Sequence, residues 1–268
     1  MTKLPSLTDR AALANHRARA RHGQPAPFLH EEAAAEIQER LDQVNRRFTK
    51  PAIVTGFPEV WQNLLPDSVL VGDEDTLPLA EGAHDLVIHA MALHWANDPV
   101  GQLIQCFRAL RPDGLFLAAF PGGRTLHELR ASLAEAESRL TGGLSPRVLP
   151  MGEIRDLGGL LQRAGFALPV ADSVTLTASY RDLFHLAADL RAMGETNALA
   201  ARPRRPAPRR LFPEAAKIMA VGFPAQGGRV ATTYELIFLT GWSPDPSQQK
   251  PLKPGSALAR LADALKPD

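Results

Sequence analysis

The chain has 268 residues, 45% of them hydrophobic, and a formal net charge of +1 at pH 7. That balance supports a sizeable core, gives no global attraction to nucleic acid or anionic membrane, and includes no apolar run near the roughly 18 residues of a spanning helix. A single cysteine, Cys106, excludes an intrachain disulfide, and Met1-Thr-Lys-Leu-Pro-Ser6 lacks the apolar core of a signal peptide, so a cytoplasmic location is expected.

Along the chain, Leu7–His22 reads as an arginine-rich helix and Pro27–Phe48 as a longer one, whose Glu31-Glu-Ala-Ala-Ala-Glu36 start suits the positive end of the helix dipole. Residues 1–50 would form a helical extension, 51–242 the main domain with helical lid insertions, and 243–268 a proline-rich flexible tail. A first strand leads into Gly56. Pro58–Leu65 then reads as a short helix, Pro66-Asp67 as a turn and Ser68–Gly72 as the next strand. Asp85–Trp95 begins as a near-continuous apolar run, as in a strand buried on both faces of a parallel sheet. Asn97 is placed to cap a helix along which Val100, Leu103, Ile104, Phe107 and Leu110 recur at helical spacing. Arg111-Pro-Asp-Gly114 breaks that helix, and Leu115–Phe120 gives a second buried strand, completing a βαβ unit. Cys106 falls on the apolar side of this helix and reads as a buried structural thiol.

Downstream, Arg124–Leu140 carries an apolar stripe of Leu126, Leu129, Leu133, Ala136 and Leu140, and Gly142-Gly143 ends it. Glu153–Ala164 is a helix closed by Gly165, and Val170–Ala178 alternates as a strand. Helices Arg181–Met193 and Leu211–Val221 precede Gly228–Gly241, a strand expected to run antiparallel to Val170–Ala178.

Asp85-Leu-Val-Ile88, His94-Trp-Ala-Asn-Asp98 and Leu110-Arg-Pro-Asp-Gly114 resemble the fourth and fifth strands of class I S-adenosylmethionine-dependent methyltransferases. Gly122-Gly-Arg-Thr-Leu-His-Glu-Leu-Arg130 and Arg191-Ala-Met-Gly-Glu-Thr-Asn197 are similar to the branch that contains the assembly factor of respiratory complex I, which is related to the malonyl-carrier-protein methyltransferases of biotin synthesis. The resemblance runs from about Asp9 to Trp242. It implies an α/β fold: a Rossmann-like methyltransferase sheet with helices on both faces and an antiparallel edge strand. It also implies S-adenosylmethionine as cofactor and, by analogy, a complex I subunit as protein partner, with a location in the cytoplasm or peripheral to the inner membrane. The branch modifies an arginine of a core subunit by hydroxylation.

After its first strand this family carries an acid and then three glycines in alternation, so that backbone N–H groups meet the cofactor without obstruction. The present sequence keeps Gly56 but has Val54 for the acid and Pro58 and Val60 for the other glycines. Pro58 has no N–H to donate, and Val60 adds a branched side chain. Only 17 positions separate Gly56 from Asp73. The two crossovers usual in the family need at least about 10–12 residues each, so one strand and one helix are expected to be missing. S-adenosylmethionine is therefore expected to bind weakly or not at all.

The resemblance assigns cofactor contacts to Gly56, Asp73, Glu74, Ala90 and Met91. Gly72–Leu79 resembles the adenine-side loop; alternatively Asp73 is a ribose-binding acid, about 20 residues after the glycine turn, or part of a solvated acidic turn. His94 is the candidate catalytic residue, as a base or polar wall, against a reading in which it orients its loop by a hydrogen bond. Trp95, Arg124, Arg130, Glu195 and Asn197 are assigned to a substrate or partner rim, against a reading in which the polar ones pin the lid. Arg202–Arg210 holds five arginines and three prolines, a solvated loop or a grip for an acidic partner, and lacks the interleaved aromatics of a nucleic-acid site. The eight histidines form no His-Glu-x-x-His pattern or Cys/His cluster, so no metal is expected, and there is no Gly-x-Ser-x-Gly elbow. The functional expectation is a methyltransferase-like protein, acting on a protein or small molecule, whose methyl transfer is weak or lost. Its alternative is an inactive pseudo-methyltransferase serving as a binding or assembly module.

Overall fold

The computed structural model describes residues 6–248. The expected tail falls largely outside the described residues, as does most of the segment read for a signal peptide. Strands β1 (Pro51–Thr55), β2 (Val69–Val71), β3 (His84–Ala90) and β4 (Leu110–Gly122) pair in parallel in the spatial order β2-β1-β3-β4. Strand β7 (Arg229–Trp242) runs antiparallel between β4 and β5 (Ala167–Tyr180), and the two-residue β6 (Pro224–Ala225) pairs with β7. The pairing of β5 with β7 is the one the alternating sequence anticipates, with Val174 opposite Leu236 and Leu176 opposite Tyr234.

The pleat sends successive side chains to opposite faces. Ile53, Leu86, Ile88, Leu115 and Leu117 enter one core. Ala52, Val54, Val87, Phe116 and Ala118 enter the other. The first is covered by α2 (Phe28–Gln43), α5 (His127–Thr141), α7 (Leu183–Ala192) and α8 (Leu211–Gly222), the second by α4 (Pro99–Ala109) and α6 (Ile154–Ala164). Both faces of β1 and β3 are thus buried, which is why these strands are apolar without alternation. The result is a Rossmann-like sheet with helices on both faces and an antiparallel edge pairing. The first half is short, as the spacing predicts. After α3 (Pro58–Trp61), β2 ends the sheet with no further strand beside it among the described residues, and residues 72–83 reach β3 without a helix.

Local differences from the sequence reading have identifiable causes. Helix α4 is capped by Asp98, whose Oδ1 accepts from the Gly101 N–H at 2.8 Å, and not by Asn97. Asn97 Oδ1 accepts instead from the Thr8 N–H at 2.8 Å, so a distant backbone donor outcompetes the local one. Helix α1 (Arg10–His22) starts later than Leu7 because Asp9 caps it through Ala12 N–H at 3.0 Å. Helix α5 starts at His127, not Arg124, since Gly123 and Leu126 both adopt left-handed backbone conformations. Leu126, Leu129, Leu133 and Ala136 are buried, but Leu140, in the last turn of α5, is 39% exposed. Cys106 is fully buried on α4, and burial pushes its thiol far above the ordinary range.

Candidate functional site

Arginines dominate the crevice above the carboxyl ends of β1 and β2. Arg10, Arg17 and Arg21 lie seven and four positions apart on α1, a spacing that puts them on one helix face. Arg17 is 5% exposed and grips Asp73 with both Nη atoms, Nη1 to Oδ1 at 2.6 Å and Nη2 to Oδ2 at 3.1 Å. Arg10 adds Nη1 to Asp73 Oδ2 at 3.2 Å and Nη2 to the Asp73 carbonyl at 2.6 Å. Burial would raise the Asp73 carboxyl, but the charges and hydrogen bonds of Arg17 and Arg10 prevail and hold it at about 2. Arg21 donates to the Gly56 carbonyl and, at 2.9 Å, to Glu59. Behind this cluster, fully buried His89 pairs with Gln102 at 2.7 Å, and Gln102 Nε2 donates to the carbonyls of Asp73 and Glu74.

Three of the residues assigned to the cofactor are therefore brought together, with Arg17 placed over the glycine turn. Gly56, Asp73 and Glu74 line one crevice. Ala90 ends β3 opposite Thr55, and Met91 is buried with a left-handed backbone. A Cβ atom built on Gly56 would come within 2.3 Å of the Arg17 guanidinium carbon. S-adenosylmethionine requires a free acceptor for its ribose and open space over the glycine turn. Here both Asp73 oxygens are engaged, Arg17 lies over Gly56, and buried Val54 offers no carboxylate, while a crevice of about 340 Å³ remains beside them along Glu74. In this arrangement Gly56 and Asp73 do not fit the cofactor.

The other half of the edge is open. A cavity of about 260 Å³ lies between the ends of β3 and β4 and the lid helices α5 and α7. Leu126, Leu129, Leu133, Leu149, Leu190 and Phe212 supply apolar walls. His94 and Trp95, on a single 3₁₀ turn after β3, meet Glu195 from the lid: Glu195 Oε2 accepts from Trp95 Nε1 at 2.7 Å and lies 3.1 Å from His94 Nε2. Burial pushes the Glu195 carboxyl up. The charge and hydrogen bond of His94, with Arg17 and Trp95, outweigh it and hold the group below its ordinary range. Oε1 is left without a hydrogen-bond partner among the described residues.

The other rim assignments are spread out. Asn197 lines the cavity, its Nδ2 donating to the Pro146 carbonyl at 2.9 Å and its Oδ1 accepting from Leu199 N–H at 3.0 Å. Arg130 lies behind the wall, its Nη2 donating to the Leu149 carbonyl at 3.1 Å. Arg124 is exposed, outside the cavity lining, and its backbone N–H donates to Glu235 at 2.9 Å. Sequence reasoning missed Arg10, Arg17 and Arg21, although their spacing on one helix face was a usable signal. Among the described residues no group of three His, Cys, Asp or Glu is placed to hold a metal ion, and no helix is long and apolar enough to cross a membrane.

Residues 31–118 match a family model described as a methyltransferase domain. The chain is 37% identical over 202 residues to the mitochondrial arginine-hydroxylase NDUFAF5 of Danio rerio, covering 75% of this chain and 63% of that protein. For the human protein of the same name the identity is 37% over 199 residues, covering 74% and 57%. The malonyl-[acyl-carrier protein] O-methyltransferase of Laribacter hongkongensis is 33% identical over 188 residues, covering 70% and 61%. The matched region thus spans about six tenths of the length of these relatives. The YcgJ protein of Bacillus subtilis superposes with a TM-score of 0.50 at 10% identity, covering 81% of this chain and 100% of that one, a likeness of fold alone.

Proposed function

The chain belongs to the class I S-adenosylmethionine-dependent methyltransferase superfamily, and from that premise we propose that it recognises a protein side chain in its lid cavity, with methyl transfer weak or lost. One observation carries this reading. The sheet edge is divided: Arg17 covers Gly56 and engages both Asp73 oxygens in a polar crevice, and a second, largely apolar cavity lies beside it. The relatives named arginine-hydroxylase suggest an arginine as the side chain received. Leu129, Leu133 and Leu190 suit its methylenes, and the unbonded Oε1 of Glu195 suits its guanidinium. Trp95 and His94 orient that carboxylate and hold it ionised. The partner proposed is a respiratory complex I subunit, in keeping with the assembly-factor branch.

Titration calorimetry with S-adenosylmethionine tests the first half. A dissociation constant near the millimolar range, about −4 kcal/mol, or no measurable binding is expected. A micromolar constant removes the reading. A pull-down from the native organism tests the second half: the wild-type chain should capture a complex I subunit and Glu195→Lys should not.

A further inference from the structure

We infer that α1 is a displaceable plug, in which Arg17 covers the turn glycine and occupies Asp73, so that S-adenosylmethionine and the α1 arginines exclude one another. The inference rests on the weak-binding reading above and adds Arg17 to the causes already found in Val54, Pro58 and Val60.

The geometry is that of substitution. The Arg17 guanidinium takes both oxygens of Asp73, the first acid after β2, and lies against the one glycine kept from the turn. It does so imperfectly. Its Nε is buried without a hydrogen-bond partner, and a buried donor left unpaired makes the closed state less favourable than a full set of bonds would. A buried ion pair also bears the cost of removing both charges from water, so the closed arrangement is held by less than its short distances suggest.

The way α1 is seated permits withdrawal. Its apolar residues Ala12 and Leu13 pack with Trp95, Leu149, Ala198 and Leu199 in a small third core, separate from the two that hold the sheet. Moving α1 would open this cluster and leave the sheet packing intact. The Thr8–Leu199 bridge and the Asp9 N–H, which donates to the Ala198 carbonyl at 2.8 Å, tie down the segment just before the helix and provide the pivot. Gly194 sits against Arg17, where a Cβ atom would fall 3.2 Å from the Arg17 Cα and 2.9 Å from Phe57. Glu195 follows it directly, so the plug borders the lid cavity.

A protein whose binding-competent state is scarce shows an affinity lowered by that state's population. Calorimetry with S-adenosylmethionine on the full chain is therefore expected to give a constant at least tenfold tighter for Arg17→Ala than for wild type. Arg10→Ala, which removes the more exposed of the Asp73 partners, should shift it the same way by less. Unchanged or weaker binding in Arg17→Ala would overturn the plug, the latter by making Arg17 a cofactor ligand. Hydrogen exchange on the wild-type chain keeps the test valid should Arg17→Ala not fold. Saturating S-adenosylhomocysteine is expected to speed exchange in residues 10–22, and slower or unchanged exchange there would also overturn it. A tight wild-type constant removes the weak-binding reading whatever Arg17 does. A weak one that Arg17→Ala leaves unchanged removes only the plug.

Discussion

Above β1 and β2 the crevice at the carboxyl edge of the sheet is lined by charge, whereas above β3 and β4 the cavity is walled mostly by hydrocarbon, with Arg147, Arg191 and Glu195 among its polar positions. In the first region Arg10 and Arg17 of α1 engage Asp73, and Arg21 donates to the Gly56 carbonyl and Glu59. In the second, leucines of α5 and α7 face a cavity with one oriented carboxylate in its lining. The two regions lie at the same carboxyl edge of the sheet and meet where Arg17 comes near Glu195. A charged filling can be exchanged for another polar group, because water and ligand compete for the same donors. An apolar cavity with fixed walls selects by shape and by what its single acid can accept. On the proposals above, the contrast divides regulation in the first region from recognition in the second.

The largest expected effect tests how firmly the closed side is built. It hides two histidines: His30, whose Nδ1 accepts from Trp61 Nε1 at 3.0 Å, and His89 beneath the Asp73 loop. Burial lowers both to about 4. A folded value below the unfolded one of about 6.5 means that the unfolded chain binds the protons first, so stability is full above pH 6.5 and is lost as pH falls toward 4. Between pH 7 and pH 5 each histidine should remove about 2 kcal/mol, together about 4 kcal/mol. Asp73, at about 2, stays ionised across that window and contributes nothing to the slope. Urea unfolding at the two pH values checks this, and His89→Gln should abolish about half the difference. Equal stability at pH 7 and pH 5 would show the closed side to be looser than its packing implies.

A smaller effect is expected on the open side. Glu195→Gln keeps the shape of the cavity floor but turns charge-assisted bonds into neutral ones, a loss of about 1.5 kcal/mol in unfolding free energy with capture of the partner abolished. Arg130→Glu removes the donor to the Leu149 carbonyl behind the wall. Measured together for thermal stability and partner capture, the pair separates recognition from support. Lost stability with capture intact in both variants would make these residues structural and end the contrast drawn above.

How much of this was legible beforehand follows the range of each interaction. Asp85–Phe120 was readable because strand burial and helical spacing are local patterns, and the shortened first half was readable because 17 positions cannot hold two crossovers. The cap of α4 slipped by one residue: Asn97 and Asp98 are both competent, and the choice was decided by Thr8, 89 positions away. The site is built mostly from such distant pairs. Arg17 meets Asp73 across 56 positions and His94 meets Glu195 across 101. Spacing revealed that Arg10, Arg17 and Arg21 share a face, but nothing local to α1 could reveal which acid that face would find.

The smallest expected effect concerns the arginine-proline segment, which sits beside the plug's pivot. Its first half is tied down: Arg202 donates to Asp9 at 2.9 Å and to the Leu199 carbonyl at 2.8 Å, and Arg204 donates to Asp9 at 3.1 Å. These contacts add to the cap of α1, since the Ala12 N–H first and then Arg202 and Arg204 hold the Asp9 carboxyl at about 2. The second half has no such anchor, and Arg209 and Arg210 are exposed just before α8. Trypsin cleaves poorly before proline, which protects the bonds after Arg202 and Arg205 in any conformation. Brief digestion of the free protein is therefore expected to cut first after Arg209 or Arg210 and later, if at all, after Arg204, because exposed flexible backbone is the preferred site of nicking. A first cut after Arg204 would show that the Asp9 anchor is not holding, and would loosen the pivot on which withdrawal of α1 depends. Protection of Arg209 and Arg210 that appears only when an acidic partner is added would extend the recognition surface from the open cavity to this loop.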